Sequence, residues 1–127
     1  MKTLSFLILI LPFAASLAQD REGIEFVEAK IRPALSKYCY ECHSQESGKS
    51  KGGLRVDSQN ALFQGGDTGP AIVPGDLGSS LLITSIRYDD EDFEMPPKGK
   101  LPDSIIGDFE KWVAMGVPDP RQDSAPM

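Results

Sequence analysis

The chain has 127 residues, and its 19 acidic and 13 basic side chains give a formal net charge of −6. This length predicts a single domain, and the negative charge excludes a nucleic-acid binder that works by neutralising phosphates. The chain has only two cysteines, which excludes a disulfide framework as the basis of the fold.

Residues 1–18 have the pattern of a secretory signal peptide. Lys2 supplies the positive start, Leu4 to Phe13 is almost wholly apolar, and Ser16-Leu17-Ala18 offers small residues for cleavage. The apolar run is shorter than the ~20 residues that a membrane-spanning helix needs. We therefore predict an exported protein, periplasmic or in an equivalent extracytoplasmic compartment, with no stable membrane span after signal cleavage.

Helical patterns dominate the rest of the chain, and strand patterns are poor. Apolar spacing and helix-end signals predict four helices, at Gly23 to about Lys37, Gln59 to Gln64, Ser79 to about Tyr88, and Pro102 to Gly116. Pro33 is expected to bend or split the first helix. Asp57 or Ser58 is expected to cap the second. Gly- and Pro-rich loops join them. The predicted fold class is mainly α, with helices wrapped around a core and extended loops.

The sequence Cys39-Tyr40-Glu41-Cys42-His43 is the Cys-x-x-Cys-His pattern of covalent haem attachment. Two thiols at this spacing lie on one turn, where each can form a thioether with a haem vinyl group. The following histidine is placed to ligate the iron. His43 is the only histidine in the chain. We therefore predict one covalent haem c bound by Cys39 and Cys42, with His43 as an iron ligand.

Other chemistries for the two cysteines are less well supported by the sequence. A thioredoxin-like site requires a preceding strand and a βαβ pattern, whereas a helix precedes Cys39. A zinc site requires about four ligands, and there is no second Cys/His cluster. A disulfide between Cys39 and Cys42 would close a very small loop and add little stability.

The second iron ligand is predicted to be Met95. It lies in a loop and is followed by two prolines, which stiffen the segment and reduce the entropy lost on ligation. Histidine with methionine is the ligand pair of cytochromes c. Met115 fits the end of a buried helix face better, and Met127 is terminal. The alternative is an open sixth position, as in a gas sensor or a peroxidase-like protein, with Met95 as a core residue.

Two further features concern the surroundings of the haem. Arg55 is a candidate partner of a haem propionate, because a guanidinium suits carboxylates; a solvated surface arginine is the alternative. The acidic stretch from Asp89 to Glu94 precedes Met95 and is a candidate docking surface for a basic redox partner. Its alternative is a solvated acidic loop.

These motifs together make the chain, from about Phe26 to Arg121, resemble the cytochrome c-like domain near the start of many large exported planctomycete proteins. The resemblance is carried by Lys30-Ile31-Arg32-Pro33, Cys39 to His43, Lys51 to Asp57, Gly65 to Gly75, Met95 to Leu101 and Trp112 to Gly116. It implies a mainly α, cytochrome c-like fold, with helices wrapped around one covalently bound haem c and with extended loops. The resemblance further implies electron transfer as the activity and Met95 as ligand. It also implies that Phe26 on the first helix packs with Trp112 on the last.

The predicted organisation is a signal peptide at 1–18, a haem domain at 19–120 and a flexible tail or the start of a linker at 121–127. The expected function is electron transfer without catalysis, as a free carrier or as the redox module of a larger exported oxidoreductase. An interaction domain without haem, in which the motif is inert, is a third possibility.

Overall fold

The computed structural model describes residues 3–5 and 21–121. Nearly all of the predicted signal peptide and residues 122–127 of the predicted tail therefore lie outside the described residues. Within the described part, no helix combines the length and apolar character that a membrane crossing requires. The secondary structure is mainly helical, as the sequence predicts.

The first helix is continuous over residues 21–38 but changes its winding midway. Val27–Ile31 is a π-helical turn, where the N–H of Arg32 donates to the carbonyl oxygen of Val27. Helix α1 (Arg32–Tyr38) follows, with Pro33 in its first turn. Proline lacks an N–H and crowds the preceding turn, which a wider π turn relieves. The effect of Pro33 is thus a change of winding rather than a split helix.

A small hairpin follows the Cys-x-x-Cys-His motif and was not predicted. Strands β1 (His43–Ser44) and β2 (Lys49–Ser50) pair antiparallel, with His43 opposite Ser50. A 3₁₀ turn over Lys51–Gly53 then leads into an extended segment at residues 54–56. Two-residue strands are too short to show an alternating pattern, so the sequence predicts only a loop here.

Three more helices complete the fold close to the predicted positions. Helix α2 (Gln59–Gln64) is capped by Ser58, whose side chain accepts a hydrogen bond from the N–H of Ala61, and it ends at Gly65. Helix α3 (Leu81–Ile86) is followed by a 3₁₀ turn at Glu91–Phe93. Helix α4 (Asp103–Ala114) begins directly after Pro102.

The core forms where the first helix, α3 and α4 meet. The fully buried side chains include Val27, Ile31, Leu35, Ile83, Phe109, Trp112 and Val113. Phe26 packs against this core from a half-buried position, and its ring lies 4.7 Å from the Nζ atom of Lys111 on α4. The first and last helices therefore pack against each other, whereas the packing of Phe26 with Trp112 stays a prediction.

Candidate functional site

The Cys-x-x-Cys-His motif is folded as a tight turn at the end of α1. The N–H of Cys39 donates to the carbonyl oxygen of Leu35 at 2.9 Å, and those of Cys42 and His43 donate to the carbonyl oxygen of Cys39 at 3.2 and 3.1 Å. Both cysteines are half-buried free thiols. The turn thus presents two thiols and the imidazole from five consecutive residues.

The protonated form of the Cys39 thiol is favoured by its surroundings. Burial, together with the nearby charge of Cys42, raises the pKa of the Cys39 thiol from its ordinary value of 9.0 to about 12. A buried thiolate is poorly solvated, which is why the neutral form is favoured. The surroundings of Cys39 are therefore apolar enough to suit a thioether, which carries no charge.

The imidazole of His43 has a defined partner on one side of the ring. Its Nδ1 atom lies 3.0 Å from the carbonyl oxygen of Leu54. A carbonyl oxygen can only accept, so Nδ1 carries the proton and donates it. In this tautomer Nε2 keeps its lone pair, which is the atom a metal would bind.

The main chain of His43 is held by the same segment. The N–H of Val56 donates to the carbonyl oxygen of His43 at 2.9 Å, and the N–H of Lys51 donates to that of Cys42 at 3.1 Å. Residues 54–56 therefore fix His43 both through its backbone and through its ring. This arrangement limits rotation of the imidazole before any metal binds.

Arg121 joins this region and corrects one boundary of the sequence analysis. Its guanidinium donates to both carboxylate oxygens of Asp119, with Nη2 to Oδ2 at 2.6 Å and Nε to Oδ1 at 2.9 Å. Its Nη1 atom also donates to the Tyr40 hydroxyl at 2.9 Å and to the carbonyl oxygen of Val56. Only 4% of the Arg121 side chain is exposed. Arg121 is therefore part of the packed domain and not of a loose tail.

The charge of Arg121 is stabilised within the protein. Burial lowers the pKa of a guanidinium, but the hydrogen bond and the charge of Asp119 outweigh burial here, so the pKa of Arg121 is raised. The Arg121 guanidinium thus stays charged in the folded chain.

Met95 lies in the loop between α3 and α4, and hydrogen bonds to Met95 and to the next residue, Pro96, hold this part of the loop. Its N–H donates to the carbonyl oxygen of Ser85 at 3.1 Å, and the hydroxyl of Tyr88 donates to the carbonyl oxygen of Pro96. The peptide bond between Met95 and Pro96 is cis. The Met95 side chain is 41% exposed. Its ligation of iron stays a prediction.

Arg55 follows Leu54 in the segment that holds His43. Its Nη1 atom donates to the side-chain oxygen of Gln45 at 2.7 Å. The proposed contact of Arg55 with a haem propionate is not tested by this bond and stays a prediction. The acidic stretch is largely exposed at Asp89, Glu91, Asp92 and Glu94, next to Met95.

A cavity of about 340 Å³ lies beside the motif, between Tyr40, Arg32, Arg121, Glu46 and Asp57. Its charged lining is unlike the apolar surroundings that a haem requires, so the haem is not assigned to it. Within the described residues no group of three or more His, Cys, Asp or Glu side chains is arranged to hold a metal ion.

The residues present fit a covalently attached haem by the chemistry of their donors. Two free thiols lie within one turn, and the imidazole beside them is fixed in the tautomer that leaves Nε2 available. The sequence identified these three side chains. Leu54 acts through its backbone and has no side-chain signal in the sequence. The available signal for Arg121 was Asp119, two residues before it.

Comparison with known proteins supports the resemblance read from the sequence. Residues 39–99 match the family model described as planctomycete cytochrome C. The matched segment includes the Cys-x-x-Cys-His motif at its start and Met95-Pro96-Pro97 near its end. This match indicates a c-type haem protein with an electron-transfer role. Neither the curated proteins nor the solved structures contain a significant match.

Proposed function

We propose that this chain, whose residues 39–99 match the family model described as planctomycete cytochrome C, binds one haem c and acts as an electron carrier or electron-transfer module. The observation that carries the proposal is the hydrogen bond from His43 Nδ1 to the Leu54 carbonyl oxygen. It orients the imidazole that directly follows the two free thiols. No other function considered explains why these three groups occur together.

Each residue of the motif has a separate task. Cys39 and Cys42 tether the cofactor through thioethers, which prevents its loss from an exported protein. His43 supplies Nε2 to the iron, and Leu54 holds the ring in place by accepting the Nδ1 proton. When bound, haem supplies a one-electron couple between ferric and ferrous iron.

Met95 is proposed as the second axial ligand. Its loop is anchored by Ser85 and Tyr88, so the backbone around the thioether is already ordered. Thioether ligation favours the ferrous state and raises the reduction potential. We therefore expect a positive potential, which suits a carrier that accepts electrons from a reduced partner.

The acidic residues before Met95 are proposed to guide a basic redox partner. Asp89, Glu91, Asp92 and Glu94 are exposed and lie beside the proposed ligand. Opposite charges accelerate encounter, and salt weakens this effect by screening. Neutralising these charges should therefore flatten the salt dependence of electron transfer with a basic partner, and reversing them should invert it. An unchanged salt dependence would remove this part of the proposal.

The intact mass of the full chain tests the proposal, after expression in a host that exports proteins and attaches haem c. The expected mass is that of one haem plus the chain from residue 19. A variant with Cys39→Ala and Cys42→Ala should be exported without haem. A wild-type protein that carries no haem would support the interaction domain instead, and a mass that includes residues 1–18 would contradict signal cleavage.

An open sixth position is the second candidate, and the exposure of the Met95 side chain favours it. A thioether that is 41% exposed is less firmly buried than the core side chains of this protein. If Met95 does not hold the iron, carbon monoxide should bind the reduced protein readily. If Met95 does hold it, binding should be weak in the wild type and appear on substitution of Met95 by alanine.

A further inference from the structure

The buried Arg121 guanidinium connects two parts of the site that are distant in sequence. Tyr40, which lies between the two cysteines of the motif, accepts one hydrogen bond from Nη1. Val56, which belongs to the segment that holds His43, accepts another at its carbonyl oxygen. A single side chain thus contacts the motif on one side and the supporting segment on the other.

The connection is well fixed. Asp119 binds the opposite edge of the guanidinium through two oxygens, at 2.9 and 2.6 Å, and the Asp119 side chain is fully buried. Planar bidentate pairs of this kind fix the direction in which the remaining N–H groups point. Lysine cannot reproduce this pattern, because its ammonium group is a point donor.

The segment that Arg121 holds is the one that positions the imidazole. Val56 donates its N–H to the carbonyl oxygen of His43, and Leu54, two residues earlier, accepts the Nδ1 proton. A shift of residues 54–56 would therefore change both contacts of His43. Arg121 binds Tyr40 in the motif and Val56 in this segment. The distance between the motif and the segment therefore depends on Arg121.

We propose that Arg121, held by Asp119, is a positioning residue that keeps the Leu54 carbonyl oxygen against His43 Nδ1 by linking Tyr40 to Val56. This inference rests on the proposed function, in which His43 ligates haem iron. Arg121 acts on His43 through Tyr40 and Val56.

The test measures the exchange of the His43 Nδ1 proton with solvent. His43 is the only histidine, so ¹⁵N-histidine labelling of the full chain gives signals from one imidazole, recorded on the reduced protein. In Arg121→Gln this proton should exchange about tenfold faster, the factor expected when roughly one hydrogen bond no longer stabilises a local structure. The backbone amides of α4 should keep their wild-type rates.

Asp119→Asn removes the carboxylate that holds Arg121 and should accelerate exchange. Glu110→Gln is its matched control, because it makes the same change of charge in another ion pair, Arg87–Glu110. Glu110→Gln should leave His43 exchange unchanged. Arg121→Lys should not restore the wild-type rate. Tyr40→Phe, which keeps the buried ion pair, provides a milder variant if Arg121→Gln does not fold, and it should also accelerate exchange.

A wild-type exchange rate in Arg121→Gln would overturn the inference, and so would an acceleration that the α4 amides share equally. If Arg121→Gln does not fold, the absence of any acceleration in Tyr40→Phe would overturn it. The Nδ1 proton is present with or without haem. Wild-type protein that lacks haem therefore contradicts the proposed function, while unchanged exchange in the variants contradicts the positioning role alone.

Discussion

His43 Nδ1 lies 3.0 Å from the carbonyl oxygen of Leu54, a backbone group eleven residues further along the chain. The short hairpin of β1 and β2 and the 3₁₀ turn after it bring the two residues together. This bond fixes the tautomer and orientation of the only imidazole in the chain. It leaves Nε2 as the ring nitrogen available to a metal.

Substitution of His43 by alanine should remove the proximal ligand. The fraction of the protein that carries haem should then show a high-spin or otherwise altered visible spectrum, because iron lacks the imidazole nitrogen. Added imidazole should restore a low-spin spectrum by filling the space left by the side chain. The wild type at the same imidazole concentration is the control. A variant spectrum identical to that of the wild type would contradict ligation by His43.

Substitution of Met95 by alanine should abolish the long-wavelength charge-transfer band of a methionine–iron bond and lower the midpoint potential, since the thioether stabilises ferrous iron. Met115→Ala is a close control, because Met115 and Met95 are 40% and 41% exposed. Only the Met95 variant should change the oxidised spectrum. If the Met115 variant loses the band instead, the assignment of the ligand is wrong.

Gly65→Ala should destabilise the fold far more than Gly48→Ala. Both glycines have positive φ, at +71° and +69°, but a Cβ at Gly65 would lie 1.9 Å from the Gly69 carbonyl oxygen, whereas nothing lies within 4 Å at Gly48. Gly48→Ala should lower the free energy of unfolding by ~1–2 kcal/mol from backbone strain alone. Gly65→Ala should lower it by more than ~3 kcal/mol, measured by denaturant unfolding.

Equal losses in the two variants would show that the turn at Gly65 can rearrange to accept a side chain. That outcome would weaken the view that the close approach of Gly65 to Gly69 shapes the loop after α2.

Cys39 should be slow to alkylate in folded chain that lacks haem. Burial raises the pKa of its thiol from 9.0 to about 12, so near pH 9 little thiolate is present, and thiolate is the reactive form. In the unfolded chain the ordinary pKa applies. Mass spectrometry after pulse alkylation of Cys42→Ser protein, with and without denaturant, measures the difference. Equal rates in both conditions would contradict the buried setting of Cys39.

The same shift has a consequence for stability. Between pH 9 and about 12 the unfolded chain loses the Cys39 proton while the folded chain keeps it. The stabilisation from the neutral buried thiol is therefore present below pH 9 and lost as the pH rises towards 12. In haem-free protein, Cys39→Ala should reduce this decline.

Local signals predicted much of the fold. Helix α2 runs from Gln59 to Gln64 as predicted, because its start and stop depend on neighbouring residues: the Ser58 cap and Gly65. The start of α4 after Pro102 was likewise readable from the proline. The motif itself indicated three candidate site residues, because covalent haem attachment requires two cysteines three positions apart and a histidine directly after the second.

The features that the sequence did not reveal depend on distant contacts. Arg121 and Tyr40 are 81 positions apart, and residues 121–127 were predicted to form a tail or the start of a linker. The Leu54 carbonyl oxygen has no side-chain signature at all. Val117 adopts a φ of +61°, which is unusual for a β-branched residue. Its carbonyl oxygen accepts a hydrogen bond from the side-chain amide of Gln59, and these two residues meet only in the folded chain.

The central claim is that Cys39, Cys42, His43 and Met95 together bind one haem c. The most direct test is the visible spectrum of the exported full chain, oxidised and reduced, before and after acid–acetone extraction. We predict that the haem stays with the polypeptide through extraction and that the oxidised protein, before extraction, shows the methionine–iron band. Haem that extracts into the acetone, or no haem at all, would contradict the account.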